Sequence, residues 1–137
     1  MASQPPGVKK WGLCSRVWMD AKAELHIAQV NKGGYSSRHL HTAKWNTFEV
    51  VDGELLVRLW DGPASDDHEE VVLHANRSSL CVEPGVVHQF LALTPVLMYE
   101  FYRAADGTMI DPEDIRRFSE NGIEEGLADA TQHGKKP

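Results

Sequence analysis

The sequence predicts an all-β fold with a short C-terminal helix, and three observations carry this. Between Trp11 and Ile110 the apolar residues come in short runs rich in Val, Leu, Phe, Tyr and Trp, the types that favour strands. Clusters of Gly, Pro, Asn and Asp separate the runs, as turns would. Helix-start chemistry occurs only after the last run, at Asp111-Pro112. The 137 residues suffice for one compact domain. The expected division is a flexible N-terminus at 1–10, a β domain at 11–110, a helix and extension at 111–128, and a flexible tail at 129–137.

Strands are expected at Ser15–Met19, Glu24–Asn31, Ser36–His41, Asn46–Val51, Glu54–Trp60, Glu69–His74, Ser79–Val82, Val87–Leu93 and Val96–Arg103. Asp52-Gly53 sits between two apolar runs and predicts a tight hairpin over Phe48–Val57, because such a turn needs the positive φ that Gly accepts. Asp61–Asp67 combines Gly62 and Pro63 with several acids and reads as a solvated loop. A helix is expected over about Pro112–Glu120, with Asp111 as cap, Glu113 and Asp114 at the positive end of the dipole and Gly122 as terminator.

Composition narrows the partners. A net charge of −6 argues against binding nucleic acid through bulk attraction. No apolar run approaches the ~20 residues of a membrane span, and the opening residues lack the apolar stretch of a secretory signal, so the expected location is the cytoplasm. Cys14 and Cys81 lack zinc-finger neighbours and are expected as thiols, with Cys81 buried. The apolar segment Trp11–Trp18 is placed to cover a sheet edge of a second copy, which predicts a homodimer.

Chemistry concentrates in the histidines. His39 and His41 lie two apart in an expected strand, so both imidazoles face one side, the arrangement a metal ion requires of neutral ligands. His88 follows Pro84-Gly85-Val86-Val87. His26, His68, His74 and His133 have no correctly spaced partner and are given no metal role.

These residues resemble the two motifs of the cupin superfamily. Gly33, His39, His41 and Gly53 fall on the Gly, His-x-His and Gly positions of the first motif, and Gly85 and His88 on the Gly and His positions of the second, whose Pro-x-Gly is shortened here to the adjacent Pro84-Gly85. Asn46 stands where that family usually has a ligand Glu, and Ser78 and Ala92 replace a Gly and an Asn of the second motif. The resemblance spans about Gly33–Tyr102 and implies a double-stranded β-helix, or jelly-roll, barrel. It also implies a divalent ion (Mn, Fe, Ni or Zn) held by His39, His41 and His88, with Asn46 at the place of the fourth ligand and either coordinating through its amide oxygen or leaving that place to water. An amide oxygen is a weaker, neutral donor, so such an ion would keep its full charge and attract anionic ligands.

Alternation places Met98, Glu100 and Tyr102 on one strand face. Facing inward, Glu100 is a general base beside the metal; facing outward, it is a surface acid. Lys44, in the turn before Asn46, and Tyr102 are the candidate substrate-binding residues, although a solvated turn lysine is the simpler reading of Lys44. Layout and the opening Lys10-Trp11-Gly12 are loosely similar to small single-domain cupins grouped with mannose-6-phosphate isomerases. The expected function is therefore a small metal-dependent isomerase, epimerase or lyase acting on a sugar, sugar phosphate or similar small molecule. A three-histidine Fe(II) dioxygenase and a non-catalytic binding cupin are the alternatives.

Overall fold

The computed structural model describes residues 7–127 except Arg77. The remaining residues, which include His133 and most of the ends expected to be loose, lie outside the described residues. Thirteen strands follow in order: β1 (Gly7–Lys9), β2 (Gly12–Met19), β3 (Ala23–Val30), β4 (Gly34–Tyr35), β5 (His39–Leu40), β6 (Lys44–Asp52), β7 (Glu54–Trp60), β8 (His68–His74), β9 (Ser79–Val82), β10 (Val87–Ala92), β11 (Val96–Ala104), β12 (Arg116–Arg117) and β13 (Gly122–Ile123).

Two antiparallel sheets form. One has the order β1-β2-β3-β11-β6-β9. In the other, β7 pairs with β8 and β10, β10 pairs with β4 and β5, and these two pair with β13 and β12. Alternation decides which side chains meet between the sheets. Along β6, Lys44, Asn46, Phe48 and Val50 are buried while Thr47 and Glu49 are not. The core gathers Phe48, Leu55, Val57, Leu73, Val82, Phe90 and Met98, each under 4% exposed. Trp11 closes it, packing edge-on against Phe90 at 5.2 Å. Trp60 is buried, but Trp18 is exposed.

Three local expectations are corrected. Gly53 has the positive φ of +94° expected at Asp52-Gly53, yet β6 and β7 do not pair as a hairpin. The turn is a corner that carries the chain from one sheet to the other. It is held against the matching corner between β10 and β11, where Glu54 N–H donates to Thr94 Oγ1 at 2.9 Å and Leu93 N–H to Glu54 O at 3.0 Å. A Cβ at Gly53 would fall 2.1 Å from Pro95 O, which excludes any side chain there.

The helix expected over Pro112–Glu120 does not form; among the described residues helix occurs only at 125–127. The backbone of the earlier segment pairs with the edge of the second sheet instead: β12 joins β5, β13 joins β4, and Phe118 N–H donates to Arg38 O at 2.8 Å. So short a helix is only marginal by itself, and an open sheet edge outcompetes it. The strand expected over Ser36–His41 is likewise reduced to His39–Leu40, with a bend before it.

Candidate metal centre

His39, His41 and His88 converge. His88 in β10 lies directly across from His39 in β5, and His41 follows β5 by one residue. Gly85, at φ +86°, turns the chain into β10, and its N–H donates to His41 O at 2.8 Å. The ring centroids are 4.4 to 5.3 Å apart, and one potential ligand atom on each residue lies within 4.8 Å of the others.

Backbone carbonyls set the tautomer of all three. Nδ1–H donates to Ser37 O at 2.8 Å in His39, to Asp114 O at 2.7 Å in His41 and to Val86 O at 2.9 Å in His88. Each neutral ring therefore presents its lone pair at Nε2. Burial disfavours the imidazolium, aided by the neighbouring imidazoles for His39, so that His39 lies well below the ordinary histidine range, His41 is lowered and His88 is held down to about 4. His41 Nε2 is buried with no hydrogen-bond partner, an orphan that a cation would satisfy. Three neutral, convergent nitrogen donors, one otherwise unpaired, fit a divalent metal ion.

Asn46 is fully buried beside them, its Oδ1 3.1 Å from His88 Nε2. Since that nitrogen carries a lone pair, the contact sets two acceptors together. Two ligand atoms bound at right angles to one ion, each at about 2.1 Å, stand about 3 Å apart. Thus the spacing is that of neighbouring ligands. Glu49, on the opposite face of β6, is exposed as alternation requires.

The site opens into a cavity of about 240 Å³. Glu100 and Tyr102 both line it, which resolves the orientation of β11: this face points inward. The Tyr102 hydroxyl donates to Glu100 Oε1 at 3.2 Å. Burial raises the pKa of Glu100, an effect that His26, Tyr102, Asn46 and Lys44 oppose without cancelling. Burial and the Glu100 charge together push Tyr102 well above the usual phenol range.

Lys44 is not a turn lysine. It opens β6, is 4% exposed, and its Nζ donates to Glu24 Oε2 at 3.2 Å and to Asp111 O at 2.9 Å. Glu24 and His26 line the same cavity, although no motif marks either of them. His26 Nε2 lies 2.9 Å from Glu24 Oε1. Burial alone would raise the Glu24 pKa, but His26 and Lys44 overcome it and hold the carboxylate below its ordinary range. A signal is present in the sequence: Glu24, His26, Ala28 and Val30 alternate, so the two polar residues share the face of two core residues. Cys14 also lines the cavity, its thiol pushed up to about 12 by burial and by Glu100, which makes it unreactive. Both cysteines are free, and Cys81 is exposed on the edge strand β9 rather than buried.

No described protein family and no curated protein matches the sequence. Solved structures do match. The capsular polysaccharide assembling protein CapF of Staphylococcus aureus superposes with a TM-score of 0.66 at 19% identity, over 85% of this chain and 32% of that one. Pac13, a nucleoside dehydratase, gives 0.67 at 16% identity over 89% and 88% of the two chains. A single-residue variant of Bacillus subtilis oxalate decarboxylase gives 0.69 at 11% identity over 86% and 33%. This chain spans about a third of CapF and of oxalate decarboxylase. The neighbours are cupins, and the cupin fold is the fold of this chain. No helix among the described residues is long and apolar enough to cross a membrane.

Proposed function

We propose that the protein is a metal-dependent cupin enzyme that moves a proton on a small polyoxygenated molecule, in an isomerase, epimerase or lyase reaction. The observation that carries this reading is Glu100: a buried carboxylate, held by the Tyr102 hydroxyl, on the same cavity as His39 and His41 of the three convergent histidines. In this reading His39, His41 and His88 hold the ion and Asn46 completes its ligands. A bound divalent ion would polarise adjacent oxygens of an α-hydroxy carbonyl group and acidify the C–H between them. Glu100 takes that proton; its raised pKa makes it a stronger base than an exposed carboxylate. Tyr102 orients Glu100, and Lys44 keeps Glu24 and His26 in place on the cavity wall. The names of two structural neighbours, a nucleoside dehydratase and an oxalate decarboxylase, suit the lyase branch.

The test is proton exchange. Protein loaded with Mn(II), Ni(II), Zn(II) or Fe(II) is incubated in D2O with hexoses and hexose phosphates, and deuterium at the carbon next to the carbonyl is followed by NMR. Exchange that disappears in Glu100→Gln supports the reading. Oxygen uptake by the Fe(II) form without exchange replaces it with dioxygenase chemistry, for which three histidines also leave open positions. Binding without either reaction makes the protein a binding module.

The same reading places the protein in the cytoplasm, in keeping with two free thiols, and as a homodimer. Exposed Leu13, Trp18, Tyr99 and Phe101 lie on the outer face of the first sheet and support the pairing. Sedimentation as a monomer at micromolar concentration would remove it.

A further inference from the structure

The cavity is positive inside an acidic chain. Three cationic side chains line it: Lys9, Lys44 and Arg117. Lys44 is neutralised by Glu24, whereas the side chains of Lys9 and Arg117 make no hydrogen bond or ion pair with the described residues. Four other arginines are engaged. Arg38 stacks on Trp60 at 4.0 Å, Arg103 on Trp45 at 5.3 Å, Arg116 on Phe118 at 5.5 Å, and Arg58 pairs with Glu70 at 3.3 Å.

Register sets where Arg117 stands. In the second sheet Arg117 of β12 lies directly across from His39 of β5, which lies directly across from His88 of β10. Residues directly opposite in antiparallel strands project to the same face, so Arg117, His39 and His88 form one cross-strand row.

We propose that Arg117 is the specificity-determining residue for an oxyanion of the substrate, a carboxylate or phosphate set one residue row from the metal. This rests on the metal-dependent reading above and narrows its substrate class to monosaccharide-sized polyoxygenated acids or phosphate esters. A planar guanidinium pairs with two oxygens of either group at once, which a lysine does not. The cavity, at about 240 Å³, is smaller than the ~300–1,000 Å³ of drug-sized pockets and suits a ligand of that size.

Calorimetric titration tests it with three probes that share one hexose skeleton: glucose, glucuronate and glucose 6-phosphate. Wild type, Arg117→Ala, Arg117→Lys and Lys9→Ala are first titrated with Mn(II), then with each probe in metal-loaded and metal-free form. Wild type should bind one of the anions at least about tenfold more tightly than glucose, and which anion it prefers identifies the group. Arg117→Ala should lose that preference while keeping its affinity for Mn(II), with Arg117→Lys intermediate. No anion preference in wild type, a preference that survives Arg117→Ala, or one lost only in Lys9→Ala would overturn the assignment. Wild type that takes up no Mn(II) removes the proposed function instead, and the metal-free titrations still decide the role of Arg117.

Discussion

The Nδ1–H of His41 donates to the carbonyl oxygen of Asp114 at 2.7 Å, joining two residues 73 positions apart. The Asp114 carboxylate fastens the same junction by accepting from Thr42 N–H and Oγ1–H and from Ala43 N–H, all within 2.8 Å. Those hydrogen bonds hold its pKa below the usual range despite partial burial. Asp114→Ala should therefore loosen the orientation of His41 and weaken metal binding about 10- to 100-fold, as losing an outer-shell partner typically does. Titration of the metal-free variant with Zn(II), beside Asp114→Asn, measures this. Unchanged affinity would mean that the backbone carbonyl holds its place unaided.

Replacing Asn46 by Glu places an anionic oxygen beside His88 Nε2, where a neutral one now stands at 3.1 Å. Metal affinity should rise about tenfold or more, ~1.4 kcal/mol. Activity should fall, because the added charge reduces the field that acidifies the substrate and opposes ionisation of Glu100. Equal affinities for wild type and variant would show that residue 46 does not reach the ion.

Metal-free protein should lose stability on mild acidification. His88 has a folded pKa of about 4 against an ordinary 6.5, and His39 and His41 are shifted the same way. Between those values the unfolded chain binds protons that the folded one does not, so stability is full above pH 6.5 and falls as pH drops towards 4. His88 alone accounts for on the order of 3 kcal/mol. Melting temperatures of metal-free wild type across this range should fall more steeply than those of His88→Gln.

Glu100 acts with the opposite sign. Its folded pKa is raised, so the folded protein holds a proton that the unfolded one releases, and stability is lost as pH rises from the ordinary value of 4.5 through the folded one. Glu100→Gln keeps an acceptor for Tyr102 and removes the buried charge. The variant should melt a few degrees above wild type at pH 8 and converge with it at pH 4. A lower melting temperature at pH 8 would place Glu100 among groups that stabilise the fold.

What can be read in the sequence is what alternation and turn chemistry govern locally. The convergence of His39 and His41, the entry of His88 after Pro84-Gly85 and the outward face of Glu49 all follow from such rules. Partner choice does not. Asp52-Gly53 encodes a turn but not which sheet the next strand joins, so a corner stands where a hairpin is expected. The capping signals at Asp111 are local, whereas the sheet edge that captures Arg116–Arg117 is His39–Leu40, far earlier in the chain. Lys44 and His26 escape for a simpler reason. Each shares alternate positions with buried neighbours, Asn46 and Phe48 for one and Ala28 and Val30 for the other, and that pattern outweighs the local preference of a polar side chain.

The closing strands β12 and β13 impose an order in time. His41 is made early, but the carbonyl that aims it and the row that contains Arg117 belong to residues 114–117. During synthesis the three histidines can gather once β10 has formed, while the anion-reading wall and the final aim of His41 wait for the later segment. A nascent chain therefore passes through a stage with a loose pocket that selects for nothing. Chains arrested before residue 114 should exchange metal faster than chains carried past residue 123, because only the longer chains hold the carbonyl that aims His41.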